Sequence, residues 1–106
     1  MTNRVANRDA QRAVGDKRDF VGSNLRGGYG VQGFGEMPRW AQDAYVSHRD
    51  QNSGDLYTIV SYRTPIAWYF GGEWYVPDVK YSATTSRHLT RTGLKYAALY
   101  FSEEDF

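Results

Sequence analysis

Gly71-Gly72 sits between two stretches that each alternate apolar and polar residues, and this pair constrains the fold more than any other feature of the chain. Glycine tolerates the positive φ angles that two-residue hairpin turns need. Counting outward from the pair sets Phe70 opposite Glu73, Trp68 opposite Tyr75, Ile66 opposite Pro77, Thr64 opposite Val79, Tyr62 opposite Tyr81 and Val60 opposite Ala83. Opposed residues share a face. One face then carries Val60, Tyr62, Ile66, Trp68, Phe70, Tyr75, Val79, Tyr81 and Ala83. The other carries Ser61, Arg63, Asp78, Lys80, Ser82 and Thr84, with Ala67, Tyr69, Trp74 and Val76 near the turn. A slip of one residue would destroy this phasing. Pro65 and Pro77 cannot donate ladder hydrogen bonds, so a bulge, an edge or a bend is expected at each.

A lone hairpin is marginal in water, so its apolar face needs a cover. Pro38 suits the first turn of a helix, and Trp40, Ala41, Ala44, Tyr45 and His48 recur at helical spacing, which predicts a helix over 38–48. A second helix is expected over 87–101, capped by Ser86, with Arg87, Arg91 and Lys95 on one face and Leu89, Tyr96, Ala97 and Tyr100 on another. Residues 1–19 read as a polar arm or short helix, with Arg4, Arg8 and Arg12 on one side and Ala6, Ala10, Ala13 and Val14 on the other. Residues 20–101 form one domain, and 102–106 an acidic tail expected to fray. The fold class that follows is α+β: a long bent antiparallel hairpin or small meander, packed on one face by two or three short helices.

The segment 27–35, GGYGVQGFG, contains Gly28-Tyr29-Gly30-Val31-Gln32-Gly33, a G-x-G-x-x-G pattern. That pattern signals a dinucleotide only between a strand and a helix of a βαβ unit. The segment before it is a poor buried strand and Pro38 delays any helix, so it reads as a loop anchored by Tyr29 and Phe34, and no cofactor is expected. The chain has no cysteine, which excludes disulfides and thiolate metal sites. Its two histidines, His48 and His88, lack metal-ligand spacing. Ser82 or Ser86 can be drawn with His88 and Asp78 as a triad, but no nucleophile-elbow motif supports it, so no catalytic residue is assigned.

Two kinds of partner fit the residue pattern. Tyr69, Trp74 and Val76, beside Arg63, Asp78 and Lys80, would form an apolar patch on the polar hairpin face, and such residues dominate protein interfaces. Arg63, Lys80, Ser82, Arg87, Arg91 and Lys95 would form a basic stripe interleaved with rings, which suits nucleic acid. Ten of the thirteen basic residues are arginine, yet the formal net charge is only +1, so the overall field favours neither partner. Homo-oligomerisation through the patch or the hairpin edge is equally compatible. No apolar run is long enough to span a membrane.

The stretch from Tyr57 to His88 resembles a family of small proteins of actinobacterial bacteriophages and prophages. The shared pattern is Y-x-V-x-S-Y-x-T-P-I-A, a turn, then W-x-x-P-x-x-K-Y-S-x-T-T-S-x-H. It is carried here by Tyr57, Ser61, Tyr62, Thr64, Pro65, Ile66, Ala67, Trp74, Pro77, Lys80, Tyr81, Ser82, Thr84, Thr85, Ser86 and His88. FVGSNLRG, upstream, is similar to a further segment of that family, whereas the glycine-rich loop and the 38–48 helix look like additions. The resemblance implies a phage origin and a place in the host cytoplasm. The expected function is that of a non-enzymatic accessory protein binding a host protein, with nucleic-acid binding as the alternative and a small hydrolase or nuclease around His88 as a third reading.

Overall fold

The computed structural model describes residues 10–31 and 33–105, together with the backbone of residues 3–4. Among these residues seven strands form one mixed sheet in sequence order: β1 (Asn3–Arg4), β2 (Phe20–Val21), β3 (Leu25–Gly28), β4 (Thr58–Ser61), β5 (Thr64–Phe70), β6 (Glu73–Pro77) and β7 (Leu99–Phe101). The helices are α1 (Ala10–Gly15), α2 (Arg39–Gln51) and α3 (Ala83–Arg91). The centre of the sheet is antiparallel, while β1–β2 and β6–β7 are parallel pairs whose crossovers contain α1 and α3. The architecture is α+β.

The Gly71-Gly72 hairpin forms with the expected register: Phe70 pairs with Glu73, Tyr69 with Trp74 and Trp68 with Tyr75. Both glycines have positive φ, at 61° and 87°. The expected pairing does not continue outward. The chain reverses a second time at Tyr62-Arg63, so Ser61 pairs with Thr64 and Val60 with Pro65, and the single long strand is in fact β4 and β5. A register shift between Ile59 and Val60 admits the proline beside Ile66, the bulge that its missing N–H calls for.

The sheet is covered on both faces, not one. On the first, α2 lays Ala41, Ala44 and Tyr45 against Trp68, Leu56, Phe101 and Met37. On the second, Ala10, Ala13 and Val14 of α1, with Leu94, pack on Ile59, Ile66, Ala67, Val76 and Tyr57, and Leu89 of α3 joins them. Ala10, Ala13 and Val14 of the arm's expected apolar face are therefore structural, while Ala6 lies outside the described residues. The expected arginine stripe falls partly outside the described residues at Arg8 and the Arg4 side chain, and only Arg12 is placed, exposed on α1. The final helix also differs from expectation. Ser82, not Ser86, caps it by accepting the Thr85 N–H at 3.1 Å. The helix stops at Arg91, Gly93 follows with φ 78°, and residues 99–101 form β7 instead. Glu103–Asp105 make a 3₁₀ turn, in which the Asp105 carboxylate accepts the Ser102 N–H at 2.7 Å.

Candidate functional site

The second reversal creates a cleft. It has a volume of about 550 Å³, and Tyr62 and Arg63 of the turn, Gly35 and Glu36 at the end of the glycine-rich loop, and Tyr81, Ser82, Thr84 and Thr85 around the start of α3 meet around it. Seven of its lining residues are hydroxyl-bearing: Ser61, Tyr62, Thr64, Tyr81, Ser82, Thr84 and Thr85. The wall made by the loop is fixed by the Glu36 N–H, which donates to Thr64 Oγ1 at 2.9 Å. Gly35 adopts φ 53° and comes so close that a Cβ there would lie 2.6 Å from Thr64 Cα. One glycine of the loop thus has a definite structural task. The G-x-G-x-x-G segment runs from the end of β3 into a loop, β3 and β4 are antiparallel, and α2 starts only at Arg39. The βαβ context of a dinucleotide fingerprint is missing there.

Two residues of the cleft are in costly states. Tyr62 has φ 58°, in the left-handed region that costs a non-glycine residue roughly 1–2 kcal/mol. It is held there by its N–H, which donates to Asn24 C=O at 2.8 Å, and its ring is 53% exposed. Tyr81 Oη is buried with no hydrogen-bond partner among the described residues. Its burial, and then the charge of Glu36, push its pKa up to about 12.

Beneath the cleft runs a chain of hydroxyls. Ser82 Oγ donates to Thr85 Oγ1 at 3.1 Å, Thr85 Oγ1 lies 3.2 Å from Ser61 Oγ, and Ser61 Oγ lies 2.7 Å from His88 Nδ1. With Ser82 donating, each hydroxyl can pass one proton along, and the row ends on the Nδ1 lone pair of a neutral imidazole. His88 has its pKa lowered by burial and then by Arg91, which keeps that lone pair available. Ser61 is only 1% exposed, so this serine–histidine pair locks α3 onto β4 and does not present a nucleophile to solvent. The triad drawn with Ser82 or Ser86 and Asp78 does not form around His88, whose side-chain partner is Ser61.

His48 provides a second neutral imidazole. Trp68 Nε1–H donates to its Nδ1 at 3.0 Å, and its ring stacks on Phe70 with centroids 4.1 Å apart. Burial lowers its pKa as well. Both histidines therefore bind protons less readily folded than unfolded. Their contribution to stability is fully present above the unfolded value of about 6.5 and is lost as pH falls through the lower folded values. Urea midpoints are expected to be flat from pH 8 to about 7 and to drop steadily below 6.5. His88→Gln should flatten part of that drop, and a midpoint that rises on acidification would contradict the arrangement.

The expected partner patch is not an open face. Val76 is buried, and Tyr69 and Trp74 are half-buried in the second core, with Lys17 Nζ 4.0 Å above the Tyr69 ring. The cause is the cover by α1, which the hairpin pattern alone does not reveal. The residues of the expected basic stripe are divided. Arg63 and Ser82 line the main cleft, and Ser82 is engaged as the α3 cap. Lys80 and Lys95 line a smaller recess with Asp78, Val79 and Tyr100. Arg87 and Arg91 stand exposed on α3. The ion pairs among the described residues are Arg18–Asp16 and Arg39–Asp43, so Arg63, Asp78 and Lys80 do not form an ion cluster. Among the described residues no group of three His, Asp or Glu could hold a metal ion, and no helix is long and apolar enough to cross a membrane. Sequence reasoning placed Ser61, Thr64, Thr85, Glu36 and Gly35 in no site. The two halves of the motif, SYRT at 61–64 and YSATTSRH at 81–88, were the available signal, since both border this cleft.

No curated protein and no solved structure matches the chain. A family model does match, over residues 26–105, a span that takes in the glycine-rich loop and α2, the two segments that the phage-protein resemblance sets apart as additions. Because the match covers most of the chain and the whole of the cleft, the protein belongs to the family of unknown function DUF8033.

Proposed function

We propose that this is a non-enzymatic binding protein and that the cleft around Tyr62 is where its partner enters. One observation carries the reading: a left-handed tyrosine and an unpaired buried hydroxyl line the same cleft. Backbone strain and unsatisfied polar groups are costs that persist where they serve a function. The partner we assign is a protein, in keeping with the phage-derived accessory role that the resemblance implies, and we take it to be a host protein. Hydroxyls both donate and accept, so those of Tyr62, Tyr81 and Thr84, which take no part in the row beneath the cleft, can meet the N–H and C=O groups of a peptide. The exposed Tyr62 ring offers an anchor of the kind that dominates interface energies. The rim carries one charge of each sign, Arg63 and Glu36, which suits a peptide better than a polyanion.

The test is capture from lysate of an actinobacterial host by the tagged chain, with and without nuclease, compared with Tyr62→Gly and Tyr81→Phe. A captured protein should survive nuclease. Tyr62→Gly should fall in capture by roughly tenfold or more, because the anchor is gone, yet gain about 1 kcal/mol of stability as the strain is relieved. Tyr81→Phe should gain about 1–2 kcal/mol by removing the unpaired hydroxyl. Capture that disappears with nuclease would favour the nucleic-acid reading. Full capture by Tyr62→Gly would dismiss the cleft.

A further inference from the structure

We propose that the outer edge of β7 is a self-association surface on which a second copy of this chain adds its own β7 in antiparallel orientation, around a two-fold axis at Tyr100. β7 is the last strand of the sheet and, among the described residues, β6 is the strand it pairs with. The Asp78 N–H donates to Phe101 C=O at 2.7 Å, so the polar groups of Phe101 face inward. Alternation along a strand then turns the N–H and C=O of Tyr100 outward. A residue with both groups outward is what an antiparallel pair needs on its two-fold axis, where each Tyr100 would donate to and accept from the other. Asp105 occupies the Ser102 N–H, which closes the edge just beyond this point and confines the pairing to a short zone.

The surroundings fit the same occupant. Leu99 is 46% exposed, Tyr100 40% and Tyr96 90%, an apolar group beside an open edge of the kind that proteins ordinarily protect. The charge pattern is self-complementary when reversed. Lys95 stands before β7, and Glu103 and Glu104 stand after it. Antiparallel pairing therefore brings each copy's lysine to the other's glutamates, whereas parallel pairing would set like charges together.

The experiment is light scattering of the full chain across a range of concentrations and salt, with Tyr100→Pro, Lys95→Glu and the charge-swapped triple variant Lys95→Glu/Glu103→Lys/Glu104→Lys. A concentration-dependent dimer is expected. Tyr100→Pro removes the outward N–H together with the exposed ring and takes no hydrogen bond from the β6 side, so it should give a monomer with an unchanged far-UV spectrum. Should that variant unfold, Lys95→Glu still tests the surface: it should raise the dimer dissociation constant by roughly tenfold, and the triple variant should restore it. A wild-type chain that stays monomeric at every concentration would overturn the proposal. So would a dimer indifferent to Lys95→Glu.

Discussion

Trp68→Ala is expected to cost about 3–5 kcal/mol, enough to leave up to about half of the molecules unfolded if the total stability lies near the lower end of the usual 5–15 kcal/mol or so. Trp68 is 0% exposed and sits where α2 meets the sheet. Its ring contacts Tyr45 edge-on at 4.8 Å and Phe101 at 5.6 Å. Its Nε1–H supplies the hydrogen bond that His48 Nδ1 accepts. Truncation opens a cavity under the helix and withdraws that donor in one step. Trp68→Phe separates the two effects, since it keeps most of the ring and removes the donor. It should cost less, about 1–2 kcal/mol. Urea unfolding followed by circular dichroism reads both variants. An alanine variant within 1 kcal/mol or so of the wild type would mean that this core collapses around the gap.

The same tryptophan marks how far the sequence could be read. Its pairing with Tyr75 follows from glycine chemistry and a two-residue turn, and both are local signals. Beyond it, counting failed at Tyr62-Arg63, because that reversal uses a tyrosine at φ 58° where turn preferences call for glycine or asparagine. A residue forced against its preference gives no local sign of the turn it makes. The covered second face was also hidden. Ala67, Tyr69, Trp74 and Val76 looked like a patch because nothing in the hairpin announces that Ala10, Ala13 and Val14, more than fifty residues earlier, pack against them. The α2 helix was legible, with Ala41, Ala44, Tyr45 and His48 buried as their spacing requires. The start of α3 was misread by four residues, since Ser82 and Ser86 are both acceptable caps and only tertiary contacts decide between them. The cleft depends on the hidden turn and on the α3 start, so its residues could be suspected from the motif but not assembled.

The glycine-rich loop allows a sharp test of that assembly. Gly35→Ala is expected to cost about 2–4 kcal/mol, combining the left-handed backbone with a steric clash. Gly35 has φ 53°, and an added Cβ would lie 2.5 Å from Arg63 O and 2.6 Å from Thr64 Cα. Those atoms belong to the backbone of a tight reversal and cannot turn aside as a side chain could. The loop must move instead, which breaks the bond from the Glu36 N–H to Thr64 Oγ1 and takes one wall from the cleft. Partner capture should then fail even under conditions where the rest of the chain stays folded. Gly33→Ala is the matched control. It has φ 84° but nothing within 4 Å of its would-be Cβ, so it should incur only the backbone cost of roughly 1–2 kcal/mol and leave capture unchanged. Denaturation midpoints and capture measured side by side separate close approach from mere flexibility. If the two alanine variants behave alike, the wall of the cleft does not depend on the packing of Gly35 against the turn.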